Sequence, residues 1–152
     1  MSLQSLQQAL DLSLERATPF AKSLFEGNTW TADEVQDFAN AVGSITLATI
    51  DAQGRPHAAP LIGGCMDGTL LCSVSVDSAV LRHVRKDPNI AFTITGESHS
   101  VMGTGTARVR GHTSELPEVG EALDADSKLG QLFHDTWDGF VYEIEVRRIF
   151  AS

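Results

Sequence analysis

The sequence predicts a mainly β fold with flanking helices, a six-stranded antiparallel barrel that is closed or nearly so. Three observations carry this expectation. Apolar and polar residues alternate with period two through the middle of the chain. Turn residues at Asp51-Ala52-Gln53-Gly54 and at Asp67-Gly68 separate consecutive strand-like runs. Short helical patterns then interrupt the strands after the third and before the last. Closure removes exposed edges, and a barrel this small fills its interior with side chains. A sizeable ligand is therefore expected in a groove outside the barrel, such as one at a subunit contact.

The elements follow in order. Leu3, Leu6, Leu10 and Leu14 form one stripe at helical spacing. Thr18-Pro19 is a cap followed by Pro at the first helical position, opening a short helix to Phe25 that ends near Gly27. Thr31-Ala32-Asp33-Glu34 has capping-box spacing, with Trp30 and Val35 as the accompanying hydrophobic staple. That helix runs to about Val42 and stops at Gly43. Residues 45–50 are the first strand and 57–64 the second, with Gly54 suited to a positive φ between them. Asp67-Gly68 is a tight hairpin signal, and 69–74 is the third strand. Val80, Leu81 and Val84 mark a short amphipathic helix stopped by Asp87-Pro88. Residues 89–94 and 101–110 are the fourth and fifth strands, Gly103 and Gly105 suggesting a bulge or a close backbone approach. Residues 117–133 read as helix. Phe140, Tyr142 and Ile144, with Val146 or Arg147, make the sixth strand. The whole reads as a single domain over residues 1–152, with helices in 1–42 and the barrel in 43–152.

Composition narrows the function. The 11 Lys and Arg against 20 Asp and Glu give a formal charge of -9, which argues against nucleic-acid binding. No stretch approaches the ~20 apolar residues of a membrane span, and the N-terminus does not read as a signal peptide; a cytoplasmic location is expected. Cys65 and Cys72 flank the Asp67-Gly68 turn and read as free thiols. His99, His112 and His134 lack ligand spacing, so no metal site is expected. The chain contains no nucleophile elbow, phosphate-binding P-loop or dinucleotide fingerprint.

Four stretches carry a family resemblance: LATIDAQGRPHAAPL at 47–61, MDGTLLCSVSVDSAVLRHVRKDPNIAFTI at 66–94, GTARVRG at 105–111 and VYEIEVRRI at 141–149. Their order and spacing resemble the pyridoxamine 5'-phosphate oxidase-like FMN-binding split barrels, and most of all the small general-stress-protein type. The resemblance covers about 100 of the 152 residues. It implies a homodimer with two equivalent flavin sites at its interface. By position, His57, Ala58, Ala59, Pro60 and Leu61 would face the flavin ring. Ser73, Val74, Ser75 and Ser78 would lie near the ribityl chain and phosphate. Trp137 would cover the ring from the partner subunit or anchor the core.

The chemistry of that site is partly met. Asp77-Ser78 stands at a helix start, where backbone amides and the helix dipole favour a phosphate, although the Asp77 charge would repel it. Many relatives place Lys or Arg just after the helix-start Ser and Arg on the second strand. This chain has Ala79, Val80 and Ala59 there. Arg82, one turn after Ser78, is the substitute cation; Arg85 and Lys86 look like a solvated helix end. His57 is either a flavin or substrate contact or a surface residue at a strand start, and His83 either a helix-face residue or a phosphate or haem contact.

Two functions follow. One is an FMN-dependent oxidoreductase acting on a small molecule, where the cofactor carries the chemistry and deazaflavin is a variant. The other is a flavin-free or haem-binding module on the same fold, favoured by the missing cations. Pyridoxamine-phosphate oxidation itself is not expected, because no C-terminal extension follows the last strand.

Overall fold

Six strands close into one antiparallel barrel in the order β1-β2-β3-β6-β5-β4 in the computed structural model, which describes all residues except 28, 124–125, 135–136 and the side chain of His134. The strands are β1 (Ser44–Ile50), β2 (Pro56–Met66), β3 (Thr69–Ser75), β4 (Asn89–Thr95), β5 (Ser100–His112) and β6 (Gly139–Ala151). Helices α1 (Leu3–Glu15), α2 (Pro19–Phe25) and α3 (Ala32–Val42) precede them, α4 (Ala79–Lys86) links β3 to β4, and α5 (Pro117–Ala122) and α6 (Lys128–His134) lead into β6.

Local chemistry explains the boundaries. The Thr31 hydroxyl accepts from the Glu34 amide and the Glu34 carboxylate accepts from the Thr31 amide, completing the expected capping box. Gly43 closes α3 in the left-handed region, φ 69°. Asp67 and Gly68 both take positive φ, 49° and 80°, as a two-residue hairpin matched to strand twist requires. Gly103 and Gly105 permit close approach of β5 to β6. A Cβ on either would lie 2.1 Å from a β6 carbonyl oxygen, and the pairing shifts register between Thr104 and Gly105.

The core fills the barrel with Ile45, Leu47, Leu70, Phe92, Ile94, Val101, Tyr142, Ile144 and Ile149, all essentially inaccessible. α1 packs on β6 through Leu6 and Leu10. The third buried position of α1 is Ser13 rather than Leu14, because its hydroxyl accepts from the Ile149 amide at 2.9 Å. A second cluster outside the barrel joins Leu71 and Val141 to Leu116, Val119 and Leu129.

Three expectations need correction. The helix expected over 117–133 is two short helices, with 124–125 outside the described residues. The fifth strand extends to His112. The last strand runs on to Ala151, because β6 pairs with β5 along its length and Ser152 exchanges two backbone hydrogen bonds with Ser100.

Candidate functional site

The strand pair β2–β3 is complete at only one end. β2 pairs with β1 from Ser44↔Ile62 to Ile50↔Pro56, and β3 pairs with β6 from Leu70↔Ile144 to Ser75↔Gly139. Between β2 and β3 the ladder covers only Gly63↔Cys72 to Met66↔Thr69. Beyond it the strands part, and the opened seam forms a groove of about 420 Å³. That volume lies within the usual range for small-molecule sites, ~300–1,000 Å³.

Pro60, Leu61 and Ile62 line one wall, and Ser73, Val74 and Ser75 the other. Ser78, Leu132 and Trp137 complete the lining, and none of these nine residues is charged. Thus seven residues expected at the site (Pro60, Leu61, Ser73, Val74, Ser75, Ser78 and Trp137) converge on one groove. The Ser73 hydroxyl bridges the seam at its closed end, donating to the Ile62 carbonyl at 3.1 Å. Ser78 is the N-cap of α4, its hydroxyl oxygen accepting from the Val80 amide at 3.2 Å. That leaves the Ser78 hydroxyl proton free to donate to a ligand.

Trp137 reaches the groove within its own chain and is held in three ways. Its carbonyl accepts from the Thr113 hydroxyl. Its ring lies on Gly139, where a Cβ would fall 2.2 Å from the indole. The neighbouring Asp138 carboxylate lies 2.6 Å from His112 Nε2.

Four expected residues are not in the lining. Ala58 points outward on β2 and is exposed; His57 and Ala59 lie on the opposite face and are partly buried. Arg82 is exposed, because α4 buries Val80, Leu81 and Val84 and so turns Arg82 away. Asp77 is exposed and also absent from the lining. α4 places a different cation near this end of the barrel. Arg85 stacks over the ring of Phe140 at 5.5 Å, and Phe140 is the register partner of Val74. Its position was readable: Arg85 lies seven residues after Ser78 and shares its helical face. Ile62 and Leu132 were not anticipated, since neither carries a polar signal and only the parting of β2 from β3 exposes them as walls.

The remaining reactive groups lie elsewhere. Burial pushes the Cys65 thiol up to about 12 and the Cys72 thiol likewise to about 12. Neither is a thiolate nucleophile at neutral pH. Tyr142 is fully buried with an unpartnered hydroxyl, and burial raises its pKa. His99 packs edge-on against Trp30 at 5.2 Å. Among the described residues, no group of three or more His, Cys, Asp or Glu is placed to hold a metal, and no helix is long and apolar enough to cross a membrane.

A six-stranded antiparallel barrel with flanking helices and one parted strand pair defines the split-barrel class. The chain belongs to the pyridoxamine 5'-phosphate oxidase family, whose pattern matches residues 31–148. Solved structures share the fold. A conserved hypothetical protein from Mycobacterium tuberculosis is 22% identical, with a TM-score of 0.66 over 81% of this chain and 84% of that one. HutZ, the heme storage protein from Vibrio cholerae, is 17% identical, with a TM-score of 0.60 over 78% and 92%. A heme binding protein from Mycobacterium smegmatis is 24% identical, with a TM-score of 0.60 over 82% of this chain and 55% of that one. No curated protein matches the chain.

Proposed function

We propose that the opened β2–β3 seam binds the ring system of FMN and that the protein is a flavin-dependent oxidoreductase acting on a small molecule. The observation that carries this reading is the convergence of seven expected residues on one uncharged groove beside a helix start. Pro60, Leu61, Ile62 and Trp137 offer apolar walls to a planar ring. Ser73 and Ser75 offer hydroxyls to a ribityl chain. Ser78, at the start of α4, would receive the phosphate together with the helix's first amides.

The fit is good for the ring and weaker for the phosphate, which meets hydroxyls and amides but no cation in the lining. Bound there, a flavin would supply hydride or electron transfer, and the protein's part is to position the ring and exclude water. No thiol competes, since both cysteines are buried and protonated.

The homodimer belongs to the same reading. The outer face of β2, β1 and β4 presents Ala58, Thr46, Ala48, Ala91 and Thr93, small and uncharged residues beside the groove wall. Such a face suits close packing of a second copy.

Haem is the second reading, favoured by the missing phosphate cation and by two structural neighbours described as heme storage and heme binding proteins. One experiment separates the readings. Purified protein is mixed with stoichiometric FMN, or with haemin, then desalted and scanned in the visible, with its mass measured by light scattering. Retained flavin bands on a dimer are expected. A colourless protein after FMN with a Soret band after haemin would replace the flavin reading with the haem one.

A further inference from the structure

Where α4 crosses the end of the barrel, it brings together two histidines that the groove does not use. The turn at 51–55 returns β2 alongside β1, so that Thr49 and His57 are register partners on the same inner face. α4 lays His83 against them. The imidazoles of His57 and His83 meet at 5.0 Å between centroids and 78° between planes. The His83 Nδ1 lies 2.9 Å from the Thr49 hydroxyl oxygen, and Thr49 is itself buried. The His57 Nδ1 is buried and has no hydrogen-bond partner. Both residues are only partly buried.

We propose that His57 and His83 form a two-histidine site for a divalent first-row transition ion of the zinc, nickel or copper kind. Two imidazoles bound at ~2.1 Å to one tetrahedral ion place their centroids roughly 5 Å apart, which matches the observed separation. In the tautomer whose Nδ1–H donates to Thr49, the His83 Nε2 carries the lone pair; a hydrogen bond of this kind commonly orients a metal-binding histidine. The orphaned Nδ1 of His57 gains from an ion the partner that the protein does not give it. Neutral imidazole suits these ions. No third side-chain ligand joins the pair among the described residues. The remaining positions therefore fall to water or an exchangeable small ligand. Neither histidine lines the seam groove, so the site stands independently of flavin or haem.

The test is a zinc titration of tag-free, full-length protein by calorimetry, with histidine-ring nitrogen NMR on the same sample. We expect one ion per chain, with the ring nitrogens of His57 and His83 shifting together. H57Q and H83Q should each weaken binding about a hundredfold, and Thr49→Val about tenfold. His99→Gln and His112→Gln should leave it unchanged. Zinc affinity equal in wild type and in the H57Q/H83Q double variant would overturn the proposal. So would ring shifts confined to other histidines, a readout on wild-type protein that stands even if a variant fails to fold. Neither outcome depends on whether the seam holds a flavin.

Discussion

Strands β2 and β3 make a ladder at one end and a groove at the other, and the two halves differ in sequence as sharply as in structure. In the zipped half, Gly63, Gly64 and Cys65 face Cys72, Leu71 and Leu70, all buried. The approach is so tight that a Cβ on Gly63 would sit 2.8 Å from the Leu71 carbonyl oxygen, and one on Gly64 2.6 Å from Asn40 Oδ1. Asn40 locks this end from α3, accepting from the Cys65 amide and donating to its carbonyl. In the parted half, β2 carries Pro56 and Pro60, which lack an N–H and belong on strand edges. β3 answers with serines. One half is built to exclude everything and the other to admit something.

The largest expected effect breaks the zipped half. Leu70→Ala, at a fully buried position, should cost ~2–5 kcal/mol in urea unfolding while leaving flavin affinity per folded molecule unchanged.

Alkaline pH loads the same half through its thiols. Both have pKa values raised by burial from 9.0 to about 12. Folding therefore holds protons that the unfolded chain releases, so this contribution is fully present below about pH 9 and is lost as pH rises toward 12. Urea midpoints should fall from pH 9 upward for these thiols and less steeply in Cys72→Ala. A thiol reagent at pH 8 should label neither cysteine until the protein unfolds.

Trp137→Ala addresses the parted half. Flavin affinity should fall about tenfold, by ~1–1.5 kcal/mol, with little change in melting temperature. A large loss of stability with unchanged affinity would make Trp137 a core anchor instead. The smallest effect is expected for Tyr142→Phe. It removes a buried hydroxyl that has no partner and should be neutral or stabilising by up to ~1 kcal/mol, read by thermal melting.

Local chemistry was legible from the residues alone. The Thr31 capping box, the Asp67-Gly68 turn and the close approaches at Gly103 and Gly105 each depend on a few neighbouring residues, and each appears where its chemistry demands. Long-range pairing was not. The seam exists because β2 leaves β3 beyond Gly63 while each strand keeps its other neighbour, and no local pattern records that. Arg82 illustrates the same limit at the site. Its spacing from Ser78 was right for one helical face, but the burial of Val80, Leu81 and Val84 sets how α4 is rotated, and Arg82 is left in solvent. His57 and His83, weighed one at a time in the sequence, acquire meaning only when α4 lays them ring to ring.

The most direct test of the seam as the ligand site is the fluorescence of Trp137 in a Trp30→Phe background, which leaves one tryptophan in the chain. Titration with FMN should quench Trp137 emission in proportion to bound flavin, because the indole lines the groove. Flavin that binds stoichiometrically while Trp137 emission stays unchanged would place the cofactor elsewhere and contradict the account.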